Sequence, residues 1–381
     1  MSEFFVSCPI GFEKELLLEF ESFWFQMIDL DGMPTRCGLP EFEIIKGGIQ
    51  FKTDLHLGLQ INFFSKIAYR VLLRLTSFQA RFFDQFEKKM TEIKFETLFN
   101  TQEVSLSIES SQSRLFHEKN LTECMTKVLM TKKIKVNDAS QNSIYIRINK
   151  DLVVISLDTT GPHLHFRGYR EQQGEAPLRE NLAALVLKLA ELPKENSALL
   201  DPYCGSGTFF FEKNLENLPN FYRKYSFFEF KNCPALFKSA TWRKNFHWLV
   251  TNNSNYFIGF DKNAETVLKL NHNSKIYNEH FYPIEIKAKC IDSETFDWSS
   301  LDIFKNKIET VVITNPPYGE RSKQGQVMST LLKLEKIDQV FKMVVIHPKS
   351  WSFNFGRLKL LKQIPLSNQG LETVVSVFTK V

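Results

Sequence analysis

Apolar positions along the chain switch between a period of two and a helical period, and the switches outline its elements. "FFVSCPIGFEKELLLEF" (residues 4–20) reads as a strand, a turn at Pro9 and Gly11, and an amphipathic helix. "EIIKGGIQFKTD" follows as a hairpin through Gly47-Gly48. "DLHLGLQINFFSKIAYRVLLRL" carries helical spacing and then a strand-like run, and residues 85–99 and 117–135 read as further helices. "EVSLSIESS" and "SIYIRINKDLVVISLDT" alternate as strands, so roughly the first 160 residues are mixed α+β. "GPHLHFRGYREQQGEAP" breaks the pattern with glycines and prolines and marks a linker over 161–176. Beyond it, the helix in "PLRENLAALVLKLAEL" precedes a strand at "SALLD", and the two element types then alternate. The later strands are "YFIGFD", "IEIKAK", "TVVIT" and "FKMVVIHP", with a closing hairpin over residues 358–380. That alternation predicts an α/β doubly wound, mostly parallel sheet over residues 177–381.

Composition adds little except through its distribution. The 381 residues are 43% hydrophobic and 24% charged, which suits a globular chain of two or three domains. No apolar run reaches the length of a membrane helix, and the N-terminus lacks the features of a secretion signal. The six cysteines include no Cys-x-x-Cys pair, so neither a disulfide framework nor a zinc site is expected, and a cytoplasmic protein is. His163 and His165 have no third ligand in view, so no metal is assigned. Residues 1–50 hold three Lys/Arg against nine Asp/Glu, whereas residues 66–150 hold fifteen against nine and residues 321–381 ten against three. Such segregation suits a polyanion partner for the basic stretches, and equally two solvated faces.

Chemistry concentrates at the ends of the later strands. In "LLDPYCGSGTFFFE", Cys204-Gly205-Ser206-Gly207-Thr208 lies between a strand and a helix, where open α/β sheets bind ligands. A third glycine at dinucleotide spacing is missing, and Asp201 beside the loop would repel phosphate but attract a cation. Asp261, ending the next strand, is placed to accept from ribose hydroxyls or to cap the following helix. Asp292, after the third strand, is placed to accept from an adenine amine or to stand as a loop carboxylate. An adenosine ligand with a cationic tail, S-adenosylmethionine, matches this set. "VVITNPPYGERS" ends a fourth strand at Asn315-Pro316-Pro317-Tyr318. The Asn315 oxygen and the Pro316 carbonyl can accept both hydrogens of an amino group and leave its lone pair facing a methyl donor. The prolines fix the acceptors, and Tyr318 offers a face for an extruded base.

These motifs, in this order, resemble class I amino-group methyltransferases. More closely, they resemble bacterial 23S rRNA guanine-N2 methyltransferases that carry a THUMP domain. "LHFRGYREQQGEAPLRENLA", "GGIQFKTD" and "NFFSKIAYRVLLRL" are similar to segments of those enzymes. The resemblance implies a ferredoxin-like part (1–50), a THUMP-like RNA-binding domain (51–160) and a seven-stranded Rossmann-like methyltransferase domain (177–381). It further implies structured RNA as partner, the cofactor on Asp201, Cys204, Gly205, Gly207, Thr208, Asp261, Asp292 and Asn315, and RNA on Arg167, Arg170, Arg179 and Arg321. The acceptor is guanine N2 by resemblance only: the loop itself leaves adenine N6 and cytosine N4 open, and rRNA or tRNA as substrate. A nicotinamide oxidoreductase is the reading from another class, but it leaves Asn-Pro-Pro-Tyr unused.

Overall fold

A computed structural model describes residues 1–172, 178–192, 196–239, 241–246, 255–318, 324–368 and 371–380. Contacts group the chain into two units, 1–166 with 217–249, and 167–216 with 250–381.

The first unit opens with β1 (Ser2–Ser7), α1 (Glu13–Phe23), β2 (Phe42–Ile45), β3 (Gly48–Thr53), α2 (Leu55–Phe64) and β4 (Arg70–Gln79). Their antiparallel order β2-β3-β1-β4 is the ferredoxin-like arrangement. After β4 come α3 (Phe83–Glu92), β5 (Glu103–Ser111), α4 (Glu118–Thr131), β6 (Lys135–Val136), β7 (Ser143–Asn149) and β8 (Leu152–Asp158). These strands extend the same sheet as β4-β8-β7-β5-β6, eight strands in all. The helix read over 117–135 stops at Thr131, because Lys135 and Val136 pair with β5 instead. Every residue of α2 after Leu55 is buried, which is why it shows little amphipathic pattern. Short turns on either side of the four-residue α7 (Ala235–Lys238) bring the rings of Phe221, Tyr225, Phe227, Phe237 and Trp242 around Phe63.

The second unit contains α5 (Glu180–Ala190), β9 (Ala198–Asp201), α6 (Thr208–Asn214), β10 (Tyr256–Asp261), α8 (Ala264–His280), β11 (Ile286–Cys290), α9 (Asp302–Lys305) and β12 (Thr310–Thr314). It closes with α10 (Gln324–Glu335), β13 (Val340–Pro348), β14 (Leu358–Asn368) and β15 (Leu371–Lys380). The seven-stranded sheet runs β11-β10-β9-β12-β13-β15-β14, parallel from β11 to β13 and antiparallel through the closing hairpin. This is the Rossmann-like arrangement expected for residues 177–381. β9 and β12 are buried along their whole length, as expected of strands covered on both faces. The strand order reverses between β9 and β12, at the switch point where such sheets bind ligands. Among the described residues no helix is long and apolar enough to cross a membrane.

Candidate active site

Register fixes the site before any side chain is considered. Gly259 pairs with Asp201, Asp261 with Cys290, and Val312 with Leu200. The carboxyl ends of four adjacent parallel strands therefore present Asp292, Asp261, Asp201 and Asn315 at one edge of the sheet.

The glycine loop is folded by its own backbone needs. Gly205 and Gly207 have φ of +55° and +83°, a region that side chains disfavour. A Cβ on Gly207 would meet Leu270 at 3.0 Å, but one on Gly205 would point into open space. Asp261 Oδ2 accepts the Gly205 N–H (3.2 Å) and Oδ1 accepts the Asn263 N–H (2.8 Å), which ties the loop to the end of β10. The cap of α8 is Asn263, whose side chain accepts from Glu265, so Asp261 is free of that duty. Burial raises the Asp261 carboxyl. Asp201 is buried, accepts the Tyr203 N–H (3.0 Å), and is pushed up to about 7 by burial. Two such desolvated carboxyls suit a cation and disfavour a phosphate.

Cys204 contributes backbone, not thiol. Its N–H donates to Phe260 O (2.8 Å), and burial pushes the thiol well above its usual range, which removes it as a nucleophile. Its side chain lies over Gly259, where a Cβ would come within 2.8 Å of Sγ. Gly259 is thus a site residue missed in the sequence, although a glycine inside a strand signals close approach. Tyr203, before the loop, is held away from it by its hydroxyl, which meets Thr330 Oγ1 of α10 at 3.0 Å. Asp292 is exposed, with Oδ1 accepting the Glu294 N–H (2.9 Å). Asn315 Oδ1 is buried with no hydrogen-bond partner among the described residues. Pro316 is buried, and Pro317 and Tyr318 are half-buried. An orphaned acceptor at a strand end, beside open space at Gly205 and two carboxyls, fits an adenosyl cation and an amine.

The arginines divide. Arg167 is buried and pairs with Glu212 (3.0 Å), which also accepts from the Tyr169 hydroxyl (3.0 Å). Arg170 Nε lies 3.5 Å from Glu180, and its guanidinium donates to Leu178 O and to Thr208 Oγ1. Both belong to the interior of the second unit, so the reading of Arg167 and Arg170 as RNA contacts is corrected: a guanidinium held this way cannot reach a phosphate. Thr208 is likewise engaged. Arg179 is exposed at the start of α5, and Arg321 lies outside the described residues.

Residues 167–353 match the family described as UPF0020, RMKL-like, methyltransferase domain. That stretch is therefore similar to a methyltransferase domain. The whole chain is 27% identical to a ribosomal RNA large subunit methyltransferase K/L of Shewanella woodyi, of which it covers 53%. Over 84% of its length it is 26% identical to the protein of that name from Buchnera aphidicola, of which it covers 45%. The chain thus spans about half the length of the curated relatives it matches. Among solved structures, a possible methylase from Clostridium difficile 630 shares the fold with a TM-score of 0.75 at 24% identity, covering 100% of this chain and 98% of that one. SMU.472, crystallised with SAH, does so with a TM-score of 0.78 at 21% identity and the same coverage.

Proposed function

We propose that the chain transfers a methyl group from S-adenosylmethionine to the exocyclic N2 amine of a guanosine in large-subunit ribosomal RNA. The observation that carries the reading is Asn315 Oδ1 at the sheet's switch point, buried and without a partner among the described residues. When bound, the cofactor supplies an activated methyl on a sulfonium. Asp261 receives the ribose hydroxyls, Asp292 the adenine amine, and Gly205 admits the ligand against the loop backbone. Asp201 provides negative charge beneath the cationic tail. Asn315 and the Pro316 carbonyl accept the two hydrogens of the target amine, which turns its lone pair outward, and Tyr318 stacks on the flipped base. No strong base is required, because the proton leaves after transfer. Residues 51–160 act as the RNA-binding domain, with Arg179 and Arg321 as phosphate contacts. The names of the Shewanella and Buchnera relatives and the SAH carried by SMU.472 support this assignment.

The test is mass spectrometry of nucleosides after incubating the purified protein with isotope-labelled S-adenosylmethionine and RNA from a strain lacking the gene. Label is expected in N2-methylguanosine of large-subunit rRNA. Label confined to tRNA would overturn the substrate, and label in N6-methyladenosine would overturn the acceptor atom.

A further inference from the structure

The eight-stranded sheet of the first unit ends in an exposed aromatic cluster that the methyl-transfer site does not use. Phe82 and Phe116 are 55% and 61% exposed, and Phe83 and Leu152 beside them are partly exposed. The segments that carry them lie at one end of the sheet, where Gln79 of β4 pairs with Leu152 of β8 and Ser111 of β5 pairs with Asn149 of β7. The Arg114 guanidinium lies 5.9 Å from the Phe82 ring centre, and the His117 ring lies 3.9 Å from that of Phe116.

The cluster is held by a turn of unusual backbone. Lys150 and Asp151, joining β7 to β8, both have positive φ, 49° and 62°. Hairpin turns of this shape usually take Asn-Gly, so two consecutive side-chain-bearing residues here are strained. The strained turn serves as an anchor. Asp151 Oδ1 accepts the Arg114 N–H (2.8 Å), its carbonyl accepts the Ala80 N–H (3.0 Å), and its own N–H donates to Ser113 Oγ (3.0 Å). Asp151 also faces Arg81 at 3.5 Å. One residue thus fixes both segments that carry the exposed rings. Arg114 takes part in no ion pair among the described residues, which leaves a cation beside the Phe82 ring.

We propose that Phe82, Phe116 and Arg114 form a stacking platform for unpaired RNA bases, a reading that rests on RNA being the substrate. Exposed rings next to an unpaired guanidinium suit single strands: a duplex hides its base faces, whereas bases in loops and bulges stack on aromatic side chains and guanidinium planes. Apolar rings left in water without such a partner would be a liability.

The probe is a single-stranded RNA of about 12 nucleotides carrying 2-aminopurine, compared with its duplex. The wild-type protein is expected to quench the probe on binding. Phe82→Ala with Phe116→Ala is expected to abolish quenching and weaken binding at least about tenfold, with cofactor-induced thermal stabilisation unchanged. Arg114→Ala is expected to weaken single-strand binding while leaving the fold intact. Undiminished binding by the double variant, with methyl transfer to RNA observed for wild type, would overturn the platform and leave the proposed function standing. Ring-dependent binding without transfer to any RNA would support the platform and overturn the proposed activity. Failure of the wild type to bind either probe would overturn the platform and leave the patch to a protein partner.

Discussion

Asn315 concentrates the case at residue scale, because a buried side-chain oxygen with no partner among the described residues costs about 1–3 kcal/mol unless something fills the role. Asn315→Ala is therefore expected to leave the fold at least as stable. It should lower turnover by about a thousandfold or more, the scale of losing a transition-state hydrogen-bond acceptor and its positioning. Cofactor affinity should change by no more than about threefold, since the amine is the lost contact. Calorimetric titration alongside single-turnover assays separates the two, and equal losses of binding and turnover would remove the role assigned to it. Asp201 makes a prediction of different kind. Its carboxyl sits at about 7 when folded against an ordinary value of 3.8, so the folded protein holds a proton that the unfolded chain releases. Stability is thus undiminished below about pH 3.8, falls as pH rises through the window, and is level again above about 7. At about 1.4 kcal/mol per pH unit the fall is capped at about 4 kcal/mol. A cation in the site favours the ionised form, so cofactor affinity should rise from about pH 5.5 to about 7.5 and then flatten. Asp201→Asn should abolish both slopes in melting and binding curves.

Among the elements, strands and their ends were the legible part. "SALLD", "YFIGFD", "IEIKAK" and "TVVIT" became β9 to β12 because short apolar runs bounded by turn residues have few other uses in a parallel sheet. The strand-end positions of Asp201, Asp261, Asp292 and Asn315 followed from the same logic. What escaped were facts of burial. Arg167 and Arg170 look like phosphate ligands in a glycine-rich stretch, because no local pattern shows that Glu212 and Glu180, tens of residues away in Arg167's case, will meet them inside. This makes the buried pair testable. Arg167→Met leaves Glu212 without its cation and should cost about 3–5 kcal/mol in urea unfolding, whereas adding Glu212→Leu should recover most of that loss. Gly259 gives a sharper case. Its alanine variant places a methyl within 2.8 Å of Cys204 Sγ and 2.9 Å of Phe210, and overpacking of this kind costs about 1–3 kcal/mol. Because Cys204 leads the glycine loop, Gly259→Ala should weaken cofactor binding even where the protein stays folded. Unchanged affinity would separate the loop from the strand beneath it.

For the molecule as a whole, the least expected feature is that the described residues of 217–246 lie in sequence between parts of the second unit yet pack within the first. Phe63 on α2 is ringed by Phe221, Tyr225, Phe227, Phe237 and Trp242, with centroids 5.0–5.9 Å away. The Lys66 ammonium, buried at the end of α2, donates to Phe63 O and Phe64 O and also to Leu218 O at 2.7 Å. Burying an aromatic side chain contributes about 1.5–3 kcal/mol, so five of them together rival the roughly 5–15 kcal/mol that holds an entire domain. The first unit should therefore not fold from its own leading segment. A fragment of residues 1–166 is expected to bind a hydrophobic dye strongly and to unfold in urea without a cooperative transition. Joining residues 217–246 to it through a flexible linker should restore the transition, since the rings then cover Phe63 and a carbonyl returns to Lys66. A cooperative transition in residues 1–166 alone would show that the aromatic layer is dispensable. In that case the excursion of 217–246 would need a reason outside the stability of the unit it joins.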